Sequence, residues 1–160
     1  MLRIGVVSDS HGELYMLDRL VSLMGKIELL LHLGDHYKDI IKLNPKYNYN
    51  IDYIVGNNDF AGVVKSDKLI IINSKRILLT HGHRYNVNNG LLNLKNKAEE
   101  EMADIVLYGH THKYNMEYIN NTLFLNPGSV GRPRDKNASA AILNIDLEGE
   151  VNIEKIIVQY

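Results

Sequence analysis

The chain has 160 residues, of which 45% are hydrophobic, and its 18 basic and 19 acidic residues give a net charge of −1. This hydrophobic fraction excludes a disordered chain, and the length predicts a single domain over residues 1–160. The balanced charge argues against a nucleic-acid partner, because nucleic-acid-binding surfaces are basic. The chain contains no cysteine, which excludes disulfides and thiolate metal sites.

Neither a secretory signal nor a membrane partner is expected. A strand pattern begins at residue 2, which leaves no room for a signal peptide. No apolar run approaches the length that spans a membrane. Together with the absence of cysteine, these features predict a cytoplasmic protein.

The first half of the chain has the pattern of a βαβ arrangement. Non-alternating apolar runs predict three buried parallel strands, over residues 2–8, 29–33 and 51–55. Apolar residues at helical spacing predict a helix over residues 13–24. A short helix over residues 37–43 is expected to end before Pro45, because a proline disfavours helical geometry in the residue that precedes it.

The second half predicts hairpins, one helix and one further buried strand. Turn residues separate three strand pairs, at 67–72 and 75–80, 114–119 and 122–125, and 138–145 and 151–158. A helix is expected over residues 90–102, a buried strand over 105–108 and a loop over 126–129. The inward face of that helix is expected to carry Leu91, Leu92, Leu94, Ala98 and Met102. The chain therefore predicts an α/β fold with two mixed sheets and helices outside.

Side chains able to bind metal ions follow five of the predicted strands. These clusters are Asp9-Ser10-His11, Gly34-Asp35, Gly56-Asn57-Asn58-Asp59, His81-Gly82-His83 and Gly109-His110-Thr111-His112. Strands of one sheet deliver their carboxyl ends to a common edge, where α/β proteins place their sites. Imidazole and carboxylate groups bind divalent transition metals. Taken together, the clusters predict a metal centre.

Each cluster taken alone has a simpler interpretation. Asp9 would cap the following helix, Asp35 would be a turn residue, and His81 would be a half-buried structural histidine. His32 lies inside an apolar run and His36 lies in a loop, and for both we favour a structural role. The metal centre is favoured only by the joint order of the clusters.

In that order, the motifs resemble those of the calcineurin-like metallophosphoesterase superfamily: D-x-H, G-D, G-N-[H/C/N]-[D/E], H and G-H-x-H. The small size, the Thr80-His81-Gly82-His83 segment and the Asn126-Pro127-Gly128-Ser129 loop make the chain most similar to the compact YfcE-type phosphodiesterases of bacteria and archaea. The resemblance extends from Asp9 to Ser129. It implies a four-layer α-β-β-α sandwich.

The resemblance also implies two divalent ions that share the carboxylate of Asp35. One ion would be held by Asp9, His11, Asp35 and His112, and the other by Asp35, Asn57, His81 and His110. Manganese is the ion that the resemblance favours, with iron, nickel, cobalt or zinc as alternatives. His83 would contact the substrate phosphate or orient His81, while Asn126 and Arg134 would lie at the rim of the site.

Two positions depart from the superfamily pattern. Lys38 stands where many members have Asp or Arg in the second motif. Asn58 occupies the catalytic position that is often a histidine resembling a general acid, although the compact phosphodiesterases commonly lack that histidine too. An amide cannot act as a general acid, so solvent or His83 would have to protonate the leaving group. We therefore expect the leaving-group pKa to control the rate.

The predicted function is hydrolysis of small phosphodiesters, in which a hydroxide bridging two metal ions attacks phosphorus. One alternative is a non-catalytic protein-interaction scaffold, like the retromer subunit of this fold, whose ligand set is degraded. Phosphomonoesterase and nuclease activities at the same metal centre are further alternatives. The expected partner is a small phosphoester, and an edge strand over residues 151–158 is compatible with a homodimer.

Overall fold

The computed structural model describes residues 1–60 and 62–160. Within these residues the chain forms ten strands in two five-stranded sheets, together with three α-helices. In chain order the elements are β1 (Leu2–Val7), α1 (Leu14–Met24), β2 (Leu29–His32), α2 (Lys38–Tyr47), β3 (Asn50–Tyr53), β4 (Asp67–Ile72), β5 (Lys75–Thr80), α3 (Leu92–Glu100), β6 (Ile105–Leu107), β7 (Tyr114–Ile119), β8 (Thr122–Pro127), β9 (Ala138–Ile145) and β10 (Val151–Val158). Two 3₁₀ turns, His83–Tyr85 and Val87–Asn89, separate β5 from α3.

Both sheets are mixed, and each contains three parallel strands. The first sheet has the order β10-β9-β1-β2-β3, in which β1, β2 and β3 run parallel. The second has the order β4-β5-β6-β8-β7, in which β5, β6 and β8 run parallel. In the first sheet the antiparallel hairpin β9–β10 lies beside β1, and in the second sheet the antiparallel strands β4 and β7 form the two edges. The parallel strands therefore place the loops after β1, β2, β5 and β6 at sheet edges suited to a site.

Three clusters of buried apolar side chains separate four layers. Between the sheets, Ile4 and Leu31 of the first sheet pack in one cluster with Leu79 and Leu107 of the second. A second cluster joins the outer face of the first sheet to α1 and α2, and a third joins the second sheet to α3. The order helix, sheet, sheet, helix confirms the predicted four-layer α-β-β-α sandwich.

Helix α2 differs from the prediction, because it continues through Pro45 to Tyr47. The last turn is anchored to α1, since the Tyr47 hydroxyl and the Lys46 ammonium both donate to the carboxylate of Asp18 at 2.7 Å. The left-handed residue Asn48 then ends the helix by donating its N–H to the carbonyl of Asn44. Contacts with α1 therefore outweigh the local cost of the proline.

Helix α3 and strand β8 also differ from their predicted limits. The helix is shorter than residues 90–102, and Leu92 and Met102, predicted to face inward, are each 70% exposed. The inward face consists of Leu94 and Ala98, which are four residues apart. Strand β8 includes two residues of the predicted 126–129 loop, because β7 pairs with it as far as Pro127. Proline is accommodated there since it ends the strand.

Among residues 1–60 and 62–160, none of the helices combines the length and the hydrophobicity needed to cross a membrane.

Candidate metal centre

The predicted metal ligands lie on loops with unusual backbone geometry. Five of them adopt positive φ angles: Asp9 (54°), His11 (48°), Asp35 (59°), His110 (69°) and His112 (60°). Residues other than glycine seldom adopt this left-handed conformation, and each instance costs about 1–3 kcal/mol. Such strain is typical of functional sites, where the surrounding structure holds a side chain in one required direction.

Four of these side chains form a compact group. Asp9, His11, Asp35 and His112 each offer a ligand atom, and these atoms all lie within 4.8 Å of one another. His112 Nε2 is 3.1 Å from Asp9 Oδ1, and His11 Nε2 is 3.6 Å from Asp35 Oδ2. This is the set predicted to hold the first ion, and the structure brings all four members together.

His81, His110 and His83 adjoin this group on the side of the second sheet. His81 is fully buried, and its Nε2 lies 3.5 Å from Asp35 Oδ1 and 3.7 Å from Asp9 Oδ1. The ring centroid of His81 is 5.2 Å from that of His110 and 5.4 Å from that of His83. Asp35 therefore lies between the two groups, with one carboxylate oxygen facing His11 and the other facing His81.

Two histidines are oriented by carbonyl oxygens behind them. His81 Nδ1 donates to the carbonyl of Leu33, and His112 Nδ1 donates to the carbonyl of Arg132, both at 2.7 Å. A carbonyl can only accept a hydrogen bond, so in the neutral ring the proton is on Nδ1 and the lone pair is on Nε2. In the neutral rings both lone pairs then point towards carboxylate oxygens, an arrangement that a cation between them would stabilise.

Unsatisfied buried atoms support the same conclusion. Among the described residues, Asp9 Oδ1, His81 Nε2 and His83 Nδ1 are buried and have no hydrogen-bond partner. The 3.1 Å approach of His112 to Asp9 Oδ1 is a close charge contact without hydrogen-bond geometry. Leaving such groups unpaired costs about 1–3 kcal/mol each. A divalent cation coordinated by Asp9 Oδ1 and His81 Nε2 would satisfy both atoms, so the donor set fits a transition-metal ion.

The electrostatics of the cluster keep its carboxyl groups ionised. Burial raises the pKa of Asp35, but His81 and the amide groups of Asn58 outweigh it and hold the pKa well below its usual value. Burial likewise raises the pKa of Asp9, and His112 and His81 reverse the effect. These two carboxylates therefore attract positive charge into a largely buried site, which a metal ion would supply.

The histidines respond to the cluster in two ways. Burial lowers the pKa of His81, but Asp35 and Asp9 raise it more, and the nearby Asp9 carboxylate also raises the pKa of His112. Burial lowers the pKa of His11, His83 and His110, which favours the neutral imidazole that binds metals.

The Asn57 side chain is exposed and makes no hydrogen bond with any described residue. The neighbouring Asn58 contacts the cluster, because its backbone N–H donates to Asp35 Oδ1 at 2.8 Å and its Nδ2 donates to Asp35 Oδ2 at 2.6 Å. Asn57 remains a predicted ligand, whereas Asn58 contacts the carboxylate predicted to bridge the ions.

Asn126 is buried where a rim residue was predicted, and the rim position of Arg134 stays a prediction. Asn126 is fully buried, so it cannot contact a substrate. Its Nδ2 donates to the Gly109 carbonyl and to Thr111 Oγ1, and its Oδ1 accepts the N–H of Gly128. It therefore braces the loop that carries His110 and His112. The side chain of Arg134 is exposed, and the backbone N–H of Arg134 donates to the carbonyl of His112.

Asp59 is a positioning residue that sequence analysis included in a cluster without assigning it a role. Its Oδ2 accepts the backbone N–H groups of Asp35 and Gly56, and its Oδ1 accepts that of His36. One carboxylate thereby fixes the loop after β2 against the loop after β3. The sequence signal that could have indicated this role is an Asp three residues after the Gly of the G-N motif.

A buried polar network behind Asp9 was not predicted. The Gly34 N–H donates to His32 Nδ1, His32 Nε2 lies 2.9 Å from Ser10 Oγ, and Ser10 Oγ donates to Asp39 Oδ2. The fully buried His32 thus has the structural role that sequence analysis favoured. The network joins the loops after β1 and β2 to the start of α2.

Comparison with known proteins gives matches over most of the chain. Residues 2–148 match the family model of the calcineurin-like phosphoesterase superfamily domain. The chain is 35% identical over 145 residues to the protein named "Probable metallophosphoesterase YsnB" of Bacillus subtilis, covering 88% of this chain and 83% of that protein. It is 28% identical over 144 residues to phosphodiesterase MJ0936 of Methanocaldococcus jannaschii, covering 79% and 83%. The crystal structure of Vps29 complexed with Zn²⁺ from Entamoeba histolytica has a TM-score of 0.75 at 23% identity, covering 98% of this chain and 99% of that one.

Proposed function

The chain belongs to the calcineurin-like phosphoesterase superfamily, and on that basis we propose that it is a metal-dependent phosphodiesterase acting on small phosphodiesters. A relative with 28% identity is named a phosphodiesterase. The active site in this proposal is the cluster around Asp35, and manganese is the ion we expect it to use.

One observation carries the proposal: Asp9 Oδ1 and His81 Nε2 are buried, unpaired and 3.7 Å apart. In this proposal Asp9, His11, Asp35 and His112 hold one ion, and Asp35, Asn57, His81 and His110 hold a second. When bound, such ions lower the pKa of a coordinated water and neutralise the charge of a phosphate. Asp35 is suited to a shared position because its two oxygens face histidines of both groups.

The chain's own residues perform the remaining tasks. His81 and His112 hold their Nε2 atoms in place through bonds from Nδ1 to carbonyl oxygens, which excludes the alternative ring orientation. Asn58 holds the Asp35 carboxylate through a hydrogen bond and, as an amide, cannot protonate a leaving group. His83 has a buried Nδ1 without a partner and lies next to His81, so it is the residue we propose to contact the substrate phosphate or to protonate the leaving group.

The test is hydrolysis of bis-p-nitrophenyl phosphate by metal-stripped protein with manganese added back. We expect activity that requires the added metal, exceeds that on p-nitrophenyl phosphate, and is lost in His110→Ala protein. Faster cleavage of the monoester would contradict the diesterase assignment. Because an amide such as Asn58 cannot act as a general acid, the rates across a series of aryl phosphodiesters should fall as the leaving-group pKa rises, provided that chemistry limits the rate.

A protein-interaction scaffold is the second candidate, and the structural similarity to Vps29 is the observation that favours it. At 23% identity that similarity concerns the fold alone. The unpaired buried atoms around Asp9 favour the enzyme, because they destabilise the fold and a protein-interaction scaffold would gain nothing from them. The proposed partner is a small phosphoester and not a nucleic acid, and a homodimer is the assembly to test by light scattering.

A further inference from the structure

A cavity of about 400 Å³ lies beside the metal-binding loop. Thr111 forms part of its wall, and this residue lies between His110 and His112 in the chain. Neighbouring Cα atoms are about 3.8 Å apart, so the cavity begins one residue away from two predicted ligands. Leu91 and two residues of the 3₁₀ turn that follows His83, Val87 and Asn88, form another part of the wall.

The cavity wall carries positive charge without a compensating acid. Lys113 and Arg134 line it, and no Asp or Glu is among the described residues that do so. Neither cation forms an ion pair with any residue of the described ranges. The nearby Asp135 carboxylate accepts the backbone N–H of Tyr114 at 2.7 Å. Two cations at one cavity favour an anionic ligand there, since no carboxylate of the described residues neutralises either of them.

The remaining wall is suited to the organic part of a ligand. Tyr108 is buried, and its hydroxyl accepts a hydrogen bond from Asn115 Nδ2 at 2.9 Å, which fixes both side chains. The ring of Tyr114 packs between the two sheets, with the Lys155 ammonium of the first sheet 4.2 Å from its centroid, so Tyr114 borders the cavity without offering its ring. Val87 and Leu91, together with the Tyr108 ring, give an apolar surface next to the two cations, as in sites that bind an organic anion.

We propose that this cavity, lined by Thr111, Lys113 and Arg134, binds a second anionic group, such as a phosphate, carried on the organic arm of the diester substrate. This inference rests on the proposed function, because it places the scissile phosphate at the metal centre beside Thr111. Arg134 is anchored for this role, since its backbone N–H donates to the carbonyl of His112 at 2.9 Å. The substrate class is then a phosphodiester with a further phosphate on one arm.

The test measures binding, so that it does not depend on turnover. Thymidine 3′,5′-bisphosphate and thymidine 5′-phosphate differ only in a second phosphate, and their dissociation constants are measured on manganese-loaded protein by calorimetry. We expect the bisphosphate to bind about tenfold more tightly, the gain from one charge-assisted hydrogen bond. Arg134→Gln and Lys113→Gln should each reduce this ratio, whereas Lys136→Gln, which removes a nearby charge outside the cavity, should preserve it.

A ratio near one in the unmodified protein, or a ratio that Arg134→Gln and Lys113→Gln leave unchanged, would overturn the inference. The p-nitrophenyl ester of thymidine 5′-phosphate, assayed in parallel, tests the proposed function separately. A preserved binding ratio without hydrolysis of that ester would support the cavity assignment and contradict the phosphodiesterase. Hydrolysis of that ester without a preference for the bisphosphate would support the phosphodiesterase and contradict the cavity assignment.

Discussion

The imidazole of His81 donates its Nδ1 proton to the carbonyl oxygen of Leu33 at 2.7 Å. His81 follows β5 of the second sheet, and Leu33 follows β2 of the first. The bond therefore crosses between the sheets and turns Nε2 towards Asp35, which is two residues beyond Leu33. Packing of one sheet against the other thus positions a candidate ligand from each, and we expect disturbances of this interface to change the affinity for metal ions.

Asp59→Asn should weaken metal binding and stability together. The carboxylate accepts three backbone N–H groups around Asp35, and hydrogen bonds to a charged group contribute about 1.5–3 kcal/mol each. We expect the free energy of unfolding, measured with urea, to fall by about 2 kcal/mol, and manganese affinity to fall about 10–100-fold. Asp52→Asn, which weakens a partly exposed ion pair with Lys68 away from the cluster, is the control and should change both quantities less. Equal effects of the two variants would refute the positioning role.

Gly34→Ala should be much more destabilising than Gly90→Ala. Both glycines have positive φ angles, 94° and 120°, so an alanine is strained at either position. A Cβ on Gly34 would lie 2.5 Å from the backbone nitrogen of Gly56, whereas one on Gly90 would meet no atom within 4 Å. The added overlap should cost about 1–3 kcal/mol beyond the strain that both variants share. Thermal unfolding of the two proteins checks this difference, and identical melting temperatures would count against it.

His32 should make stability depend on pH. Burial lowers the pKa of His32 to about 4, against 6.5 for an exposed histidine. The unfolded chain binds a proton between these values while the folded protein does not, so the contribution is complete above pH 6.5 and is lost as the pH falls towards 4. Urea denaturation at pH 7.5 and 5 should show a loss of about 2 kcal/mol more in the unmodified protein than in His32→Gln. Parallel pH profiles for the two proteins would contradict the assignment.

Asn126→Ala should affect the metal and not the substrate. Two hydrogen bonds join this buried side chain to the loop that carries the two final histidines, and a third joins it to the N–H of Gly128. Their loss should lower the free energy of unfolding by about 2 kcal/mol and raise the manganese concentration needed for half-maximal activity. KM measured at saturating manganese should not change. The exposed Asn152→Ala is the control, and a rise in KM for Asn126→Ala alone would restore the substrate-binding role predicted from sequence.

Much of the fold could be predicted because hydrophobic patterning determines which segments are buried. The strands at residues 67–72, 75–80, 138–145 and 151–158 have the limits predicted for them. The exceptions depend on distant contacts. Helix α2 passes Pro45 because Asp18 of α1 holds its last turn, a contact that no local pattern encodes.

The candidate site was predictable in its residue types and less so in its supporting contacts. Asp9 and Asp35 converge because each follows a strand of the first sheet, and His81 joins them from the end of β5 in the second sheet, on the same side of the sandwich. Asn126 follows a similar pattern and serves a different purpose, because β8 extends far enough to bury it. Whether Asn57 or Asn58 faces Asp35 depends on the path of one turn, and residue type does not distinguish them.

Manganese binding to metal-stripped protein tests the central claim most directly. Equilibrium dialysis with elemental analysis should find two ions per chain in the unmodified protein. Asp35→Asn should weaken both sites together, because its two carboxylate oxygens face histidines of both groups. A protein that binds no manganese, zinc or iron at micromolar concentrations, or an Asp35→Asn variant that binds two ions with unchanged affinity, would contradict the account.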